Sequence, residues 1–221
     1  MIKRSTVAGL ATGLAATATL GLCSAAPAHA DTFVPLPGGD ITQTLSDGTV
    51  VTVRLAGESA TISPSMGATP VHRNAWVSAS AQVELSGPNA NGGKIYPGYV
   101  VGCQVTLNGG GVNGGVDASS DWEGKKPNVG GRAGGTLSLG PGQARAMYLL
   151  DLEEADDFGK DSHNTRNKFS GTHGSVTWAD STLGVSGCAG YAQARAFVRV
   201  KVSTATVNSV VTLWGQPFSI G

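Results

Sequence analysis

From residue 49 onward, apolar and polar residues alternate in steps of two, the period of an extended strand with one buried and one wet face. The clearest runs are Thr49 to Leu55, Trp76 to Leu85, Tyr99 to Leu107, Ala144 to Leu152, Ala192 to Ser203 and Val207 to Trp214. Clusters of Gly, Pro, Asn and Asp separate them, and helical spacing is almost absent. Such runs predict an all-β chain folded as an antiparallel sandwich or barrel. In the longest, Ala194, Ala196, Val198, Val200 and Val202 share one face, and Arg195, Phe197, Arg199 and Lys201 share the other. The first face is expected in the core, the second in water or against another subunit.

Two segments break the pattern. Residues 151–171 are acidic, then mixed, and polar throughout, which predicts a solvated loop. Asp151, Glu153, Glu154, Asp156 and Asp157 offer oxygen ligands for Ca²⁺, but without the Asp-x-Asp-x-Asp-Gly spacing of a dedicated loop. Residues 109–135 hold ten glycines among 27 residues around the charged knot DWEGKK, yet steps of two restore order. Val129, Gly131, Ala133, Gly135, Leu137 and Leu139 oppose Gly130, Arg132, Gly134, Thr136 and Ser138. On the approach, Cys103, Val105 and Leu107 form the apolar set; after Gly109, Gly110 and Gly111 it moves to Val112, Gly114, Val116 and Ala118. A three-glycine bulge would cause this change of phase. The segment therefore predicts a hairpin over about 103–139 with its tip at residues 121–128. Its legs, about ten residues each, match the length of a tilted membrane-spanning strand, and small-apolar/polar alternation suits a barrel wall. One hairpin cannot close a barrel, so a spanning hairpin requires several chains; on pattern alone a flexible surface loop is the favoured reading, because glycine is a weak lipid-facing residue.

The first thirty residues stand apart. Lys3 and Arg4, an apolar run from Val7 to Cys23 and the Ala28-His29-Ala30 site have the form of a secretory signal peptide, with the mature chain expected to start at Asp31. Residues 31–221 then carry 13 Lys+Arg against 15 Asp+Glu, a balance that argues against a nucleic-acid partner. About 190 residues suffice for one domain with its own core. Cys103 and Cys188 form an even pair in an exported chain, so a disulfide is expected; it closes a loop of about 85 residues and contributes roughly 4 kcal/mol in the chain-entropy treatment. These two cysteines and His72, His163 and His173 show no metal-ligand spacing. No Gly-x-Ser-x-Gly elbow is present for a hydrolase. Trp76, Trp178 and Trp214 lie at or near strands, where a core or interface role is expected ahead of a carbohydrate site.

Five pieces in order, ELSGP (Glu84 to Pro88), the Gly98-Tyr99-x-x-Gly102 start, TLSLGPGQ (Thr136 to Gln143), GCAGYAQARAFVRV (Gly187 to Val200) and LWGQPFSIG (Leu213 to Gly221), resemble the MspA family of porins over about residues 40–221. The likeness is nearest to the cysteine-containing, rhodococcal/nocardial type. It implies a β-sandwich-like rim domain over residues 31–221 and a long glycine-rich hairpin that gives two strands to an oligomeric transmembrane barrel. It also implies a water-filled pore, built by identical subunits as an octamer or with a sister subunit, in the mycolic-acid outer membrane. Small hydrophilic solutes and ions would diffuse through it passively, with no enzymatic activity and no cofactor. In the family, acidic residues near the hairpin tip form the constriction. The corresponding candidates are Asp121, Glu123, Lys125, Lys126 and, on the returning leg, Arg132; their charges predict weak ion selectivity. This hairpin is shorter than the family's archetype and has no adjacent aspartate pair.

Overall fold

A computed structural model of the chain describes residues 31–64, 69–106, 111–113, 136–138, 142–155 and 161–221; the signal-peptide segment 1–30 lies outside them. The alternating runs become strands: β1(Thr32–Pro35), β2(Gly39–Thr44), β3(Val50–Pro64), β4(Arg73–Ser86), β5(Gly92–Cys103), β6(Gly111–Asn113), β7(Thr136–Ser138), β8(Ala144–Tyr148), β9(Leu152–Ala155), β10(Asp161–Asn164), β11(Asn167–Ser170), β12(His173–Val185), β13(Ala192–Ser203) and β14(Asn208–Ser219). Among the described residues there is no helix, and the all-β expectation holds.

Two large antiparallel sheets result, beside the two-stranded β9–β10 pair. One runs β1-β3-β4-β12-β6-β7, with β2 also on β3; the other runs β11-β5-β13-β14, with β8 also on β5. Their facing sides make the core. Val51, Val53 and Leu55 of β3 and Val77, Ala81, Val83 and Leu85 of β4 meet Ile95, Tyr99 and Val101 of β5 and the even-numbered residues 194–202 of β13. The apolar face expected in the longest run is therefore buried as read. Small Ala75, Ala79 and Ala81 on β4 leave room for the large rings opposite, where Tyr99 and Phe218 pack edge to face with centroids 6.2 Å apart.

Three irregularities tune which side chains point inward. In β3 the register shifts between Ala56 and Ser59, with Gly57 at φ +62°. The one extra residue exchanges the two faces, so Glu58 turns into the core together with Ala60. In β12 the register shifts between Trp178 and Ser181, where Asp180 adopts φ +49° and its amide donates to Ser78 Oγ at 2.9 Å. In the β13–β14 pair the shift places Gly215 in the bulge, because Arg195 pairs with Pro217 and Phe197 with Trp214.

Two expectations need correction. The polar segment 151–171 is not simply a solvated loop: it holds β9, β10 and β11. β9 and β10 pair with each other, and β11 pairs with β5. Short pairings of this kind need only a few apolar contacts, which hid them in a polar run. Phe197, expected on the face turned to water or to another subunit, is only 2 % exposed within the single chain. Tyr148 and Trp214 lie beside it at centroid distances of 5.6 and 5.8 Å, and Gly98 beneath it has no side chain: a Cβ there would strike the Met147 carbonyl and come within 2.5 Å of Phe197 Cζ.

Candidate functional site

The functional question falls on the segment between β6 and β7, and its root is well defined. β5 ends at Cys103, whose disulfide to Cys188 (Cα–Cα 5.9 Å) joins the second sheet to the chain just beyond β12 of the first. Around it the backbone is knitted on both sides. Gln104 N donates to Tyr191 O at 2.9 Å, Ala189 N to Val105 O at 2.9 Å, Cys188 N to Val71 O at 2.9 Å, and Gly142 N to Cys103 O at 3.1 Å. Thr106 bridges to Cys188. The chain thus crosses from one sheet to the other at a covalent, hydrogen-bonded knot, and the outgoing and returning legs are both tied to it.

Beyond the knot, β6 adds to the edge of β12 (Asn113 opposite Gly184, Val112 opposite Val185) and pairs with β7. Six positions separate Thr106 from Val112, whereas their partners Cys188 and Val185 are three apart. The outgoing leg thus carries three more residues than the chain opposite it; Gly109 and Gly110, where the change of phase is expected, lie outside the described residues. The β6–β7 register sets Gly111 opposite Ser138, Val112 opposite Leu137 and Asn113 opposite Thr136. In these three pairs Val112 and Leu137 share one rank and Asn113 and Thr136 the next.

A family model described as MspA matches residues 47–219. The chain belongs to the MspA family. MspA proteins are oligomeric porins, and the match runs through both sheets, the disulfide knot and the stem. No curated protein matches the chain.

Of the sequence-derived site residues, Cys103 and Cys188 are joined as expected. Asp121, Glu123, Lys125, Lys126 and Arg132 lie outside the described residues. The structure does not bring the histidines together. His163 Nδ1 lies 2.8 Å from Asp151 Oδ1 across the foot of the β9–β10 pair, and His173 contacts Thr172 at 2.8 Å and Glu84 at 3.7 Å. Among the described residues no three His, Cys, Asp or Glu side chains converge as for a metal ion; Asp156 and Asp157 lie outside them. Trp178 is buried and Trp214 is 46 % exposed on the outer face of the second sheet.

Glu58 escaped the sequence reading. It is 2 % exposed, neither carboxylate oxygen has a hydrogen-bond partner, and burial raises its pKa from the ordinary 4.5 to about 7. Its carboxyl lies over Gly215, where an added Cβ would come within 2.6 Å of Oε2. Tyr99 faces it across the core; burial pushes that hydroxyl's pKa up, Trp178 offsets part of the effect and the Glu58 charge adds to it. A sequence signal existed: Gly57 inside an alternating run marks a bulge, and the phase after it assigns Glu58 to the apolar side.

Proposed function

We propose that this chain is a channel-forming subunit of a water-filled outer-membrane pore that passes small hydrophilic solutes and ions by diffusion. The observation that carries the reading is the β6–β7 stem, held to the sandwich by the disulfide knot in a chain that the MspA model matches over residues 47–219. Residues 1–30 serve as the export signal. Residues 31–221 form one porin domain with the hairpin of about 103–139 inserted in the sandwich. Identical subunits, eight in the family's pattern, each give one hairpin, because an open edge cannot stand in lipid.

The tip candidates Asp121, Glu123, Lys125 and Lys126 sum to zero charge, so rings of their copies give the pore weak ion selectivity, with the carboxylates as the groups that favour cations.

The test is cell fractionation of the expressed protein followed by gel analysis without boiling. A detergent-resistant oligomer in the envelope fraction is the expected result; a monomer or dimer in the medium would favour a secreted sandwich that keeps the fold without the pore.

A further inference from the structure

The second sheet is electrically one-sided. β5, β8, β11, β13 and β14 carry Lys94, Arg145, Lys168, Arg195, Arg199 and Lys201 and not one Asp or Glu, although residues 31–221 are slightly acidic overall. Two of the arginines are engaged on its outer face: Arg199 donates to the Tyr148 hydroxyl at 3.1 Å and Arg195 Nε to Gly215 O at 2.8 Å, with Trp214 beside it at 5.3 Å. The lysines are different. Lys168 pairs with Lys94, and Lys94 with Lys201, so three ammonium-bearing residues stand in one cross-strand row over β11, β5 and β13. Adjacent strands lie about 4.8 Å apart, and like charges directly opposite destabilise a sheet. Among the described side chains no carboxylate pairs with any of the three. Lys201 alone has an electrostatic contact, Nζ lying 5.3 Å from the Tyr96 ring centroid.

The next row is shaped to receive something. Ser170 pairs with Gly92, and Ser203 follows Val202, the partner of Gly93, so two hydroxyl residues flank a glycine floor. Gly92 has φ +119°, and a Cβ there would strike the Phe169 carbonyl; the floor must stay bare. Lysine row, hydroxyls and glycines enclose an open cavity of about 250 Å³, enough for a phosphate or diphosphate group.

We propose that this notch is an anion site for a ligand bearing a phosphate-type group, held by Lys94, Lys168 and Lys201 with Ser170 at its side. The anion supplies a countercharge that the described side chains do not, and three lysines lining one notch favour a multiply charged oxyanion over chloride. The site is on the sandwich, apart from the hairpin, and does not depend on channel activity.

Calorimetric titration of the mature protein with inorganic pyrophosphate at low salt tests it, alongside Lys94→Gln and, on the other sheet, Arg54→Gln. The expected result is saturable binding that weakens at least about tenfold in Lys94→Gln and is unchanged in Arg54→Gln. Without ligand, Lys94→Gln should melt at the same temperature as the wild type or about 1–4 °C higher, because it relieves repulsion. Equal affinity in wild type and Lys94→Gln, or no saturable binding, overturns the proposal; so does a lower melting temperature of the free variant, which would mean that Lys94 is already paired. A parallel titration with dioctanoyl phosphatidic acid distinguishes the source. Affinity at least about tenfold above that for pyrophosphate, and equally dependent on Lys94, assigns the site to a lipid headgroup; equal or weaker affinity assigns it to a soluble phosphate compound.

Discussion

Glu58 should make the sandwich less stable as pH rises through neutrality. The carboxyl is carried into the core by the bulge at Gly57, has no hydrogen-bond partner and titrates at about 7 instead of 4.5. Between those values the folded chain keeps a proton that the unfolded chain has released, so the unfolded state binds fewer protons and stability falls with increasing pH. Below about pH 4.5 the group costs nothing by this route; above about pH 7 the cost is complete. A shift of about 2.5 units corresponds to at most about 3 kcal/mol, or roughly 6–12 °C in melting temperature for a domain of this size. Thermal or denaturant unfolding of wild type and Glu58→Gln should therefore be compared from pH 5 to pH 8. Every other ionisable group is common to both proteins and cancels in the difference. The wild-type curve should drop more steeply, with the difference between the curves growing toward pH 8. Parallel curves would refute the reasoning and would mean that the Glu58 carboxyl is solvated or paired.

Further outcomes follow from the same contacts. Gly215→Ala should destabilise the wild type by about 1–3 kcal/mol, because the new methyl meets the Glu58 carboxyl; Glu58→Ala should recover part of that loss in a double-mutant unfolding cycle. Gly98→Ala should cost more than Gly215→Ala, since the obstruction includes backbone, the Met147 carbonyl, as well as the Phe197 ring; denaturant midpoints measure the difference. Reducing the Cys103–Cys188 disulfide should lower stability by about 4 kcal/mol in the chain-entropy treatment, checked by unfolding with and without dithiothreitol. In the channel, the paired variant Asp121→Asn/Glu123→Gln should lower cation preference, read as a shift in reversal potential across a salt gradient.

How far the sequence reveals this molecule depends on what each feature rests on. Alternation rests on local burial, so the long core strands were legible, and β13 spans Ala192–Ser203 as read. β12 was not, because its phase breaks at Asp180 and most of its outer positions are polar. β9, β10 and β11 were missed for a related reason: pairing at the periphery demands few apolar residues. Of the hairpin only the stem is described, and there β6 and β7 pair antiparallel, as the period of two on either side of the tip implied. The lysine row was out of reach, since Lys94, Lys168 and Lys201 become neighbours only through pairings between distant segments, and no local pattern specifies that register. Glu58 lay between these cases, visible only to a reader who carries the phase through the bulge.

Single-channel recording of the purified mature protein in a planar bilayer tests the central claim most directly, with Asp121→Asn/Glu123→Gln measured beside it. Uniform conductance steps with weak ion selectivity that shifts away from cations in the paired variant are the predicted result. Silence from a folded, detergent-extracted oligomer would contradict a pore built from this chain alone.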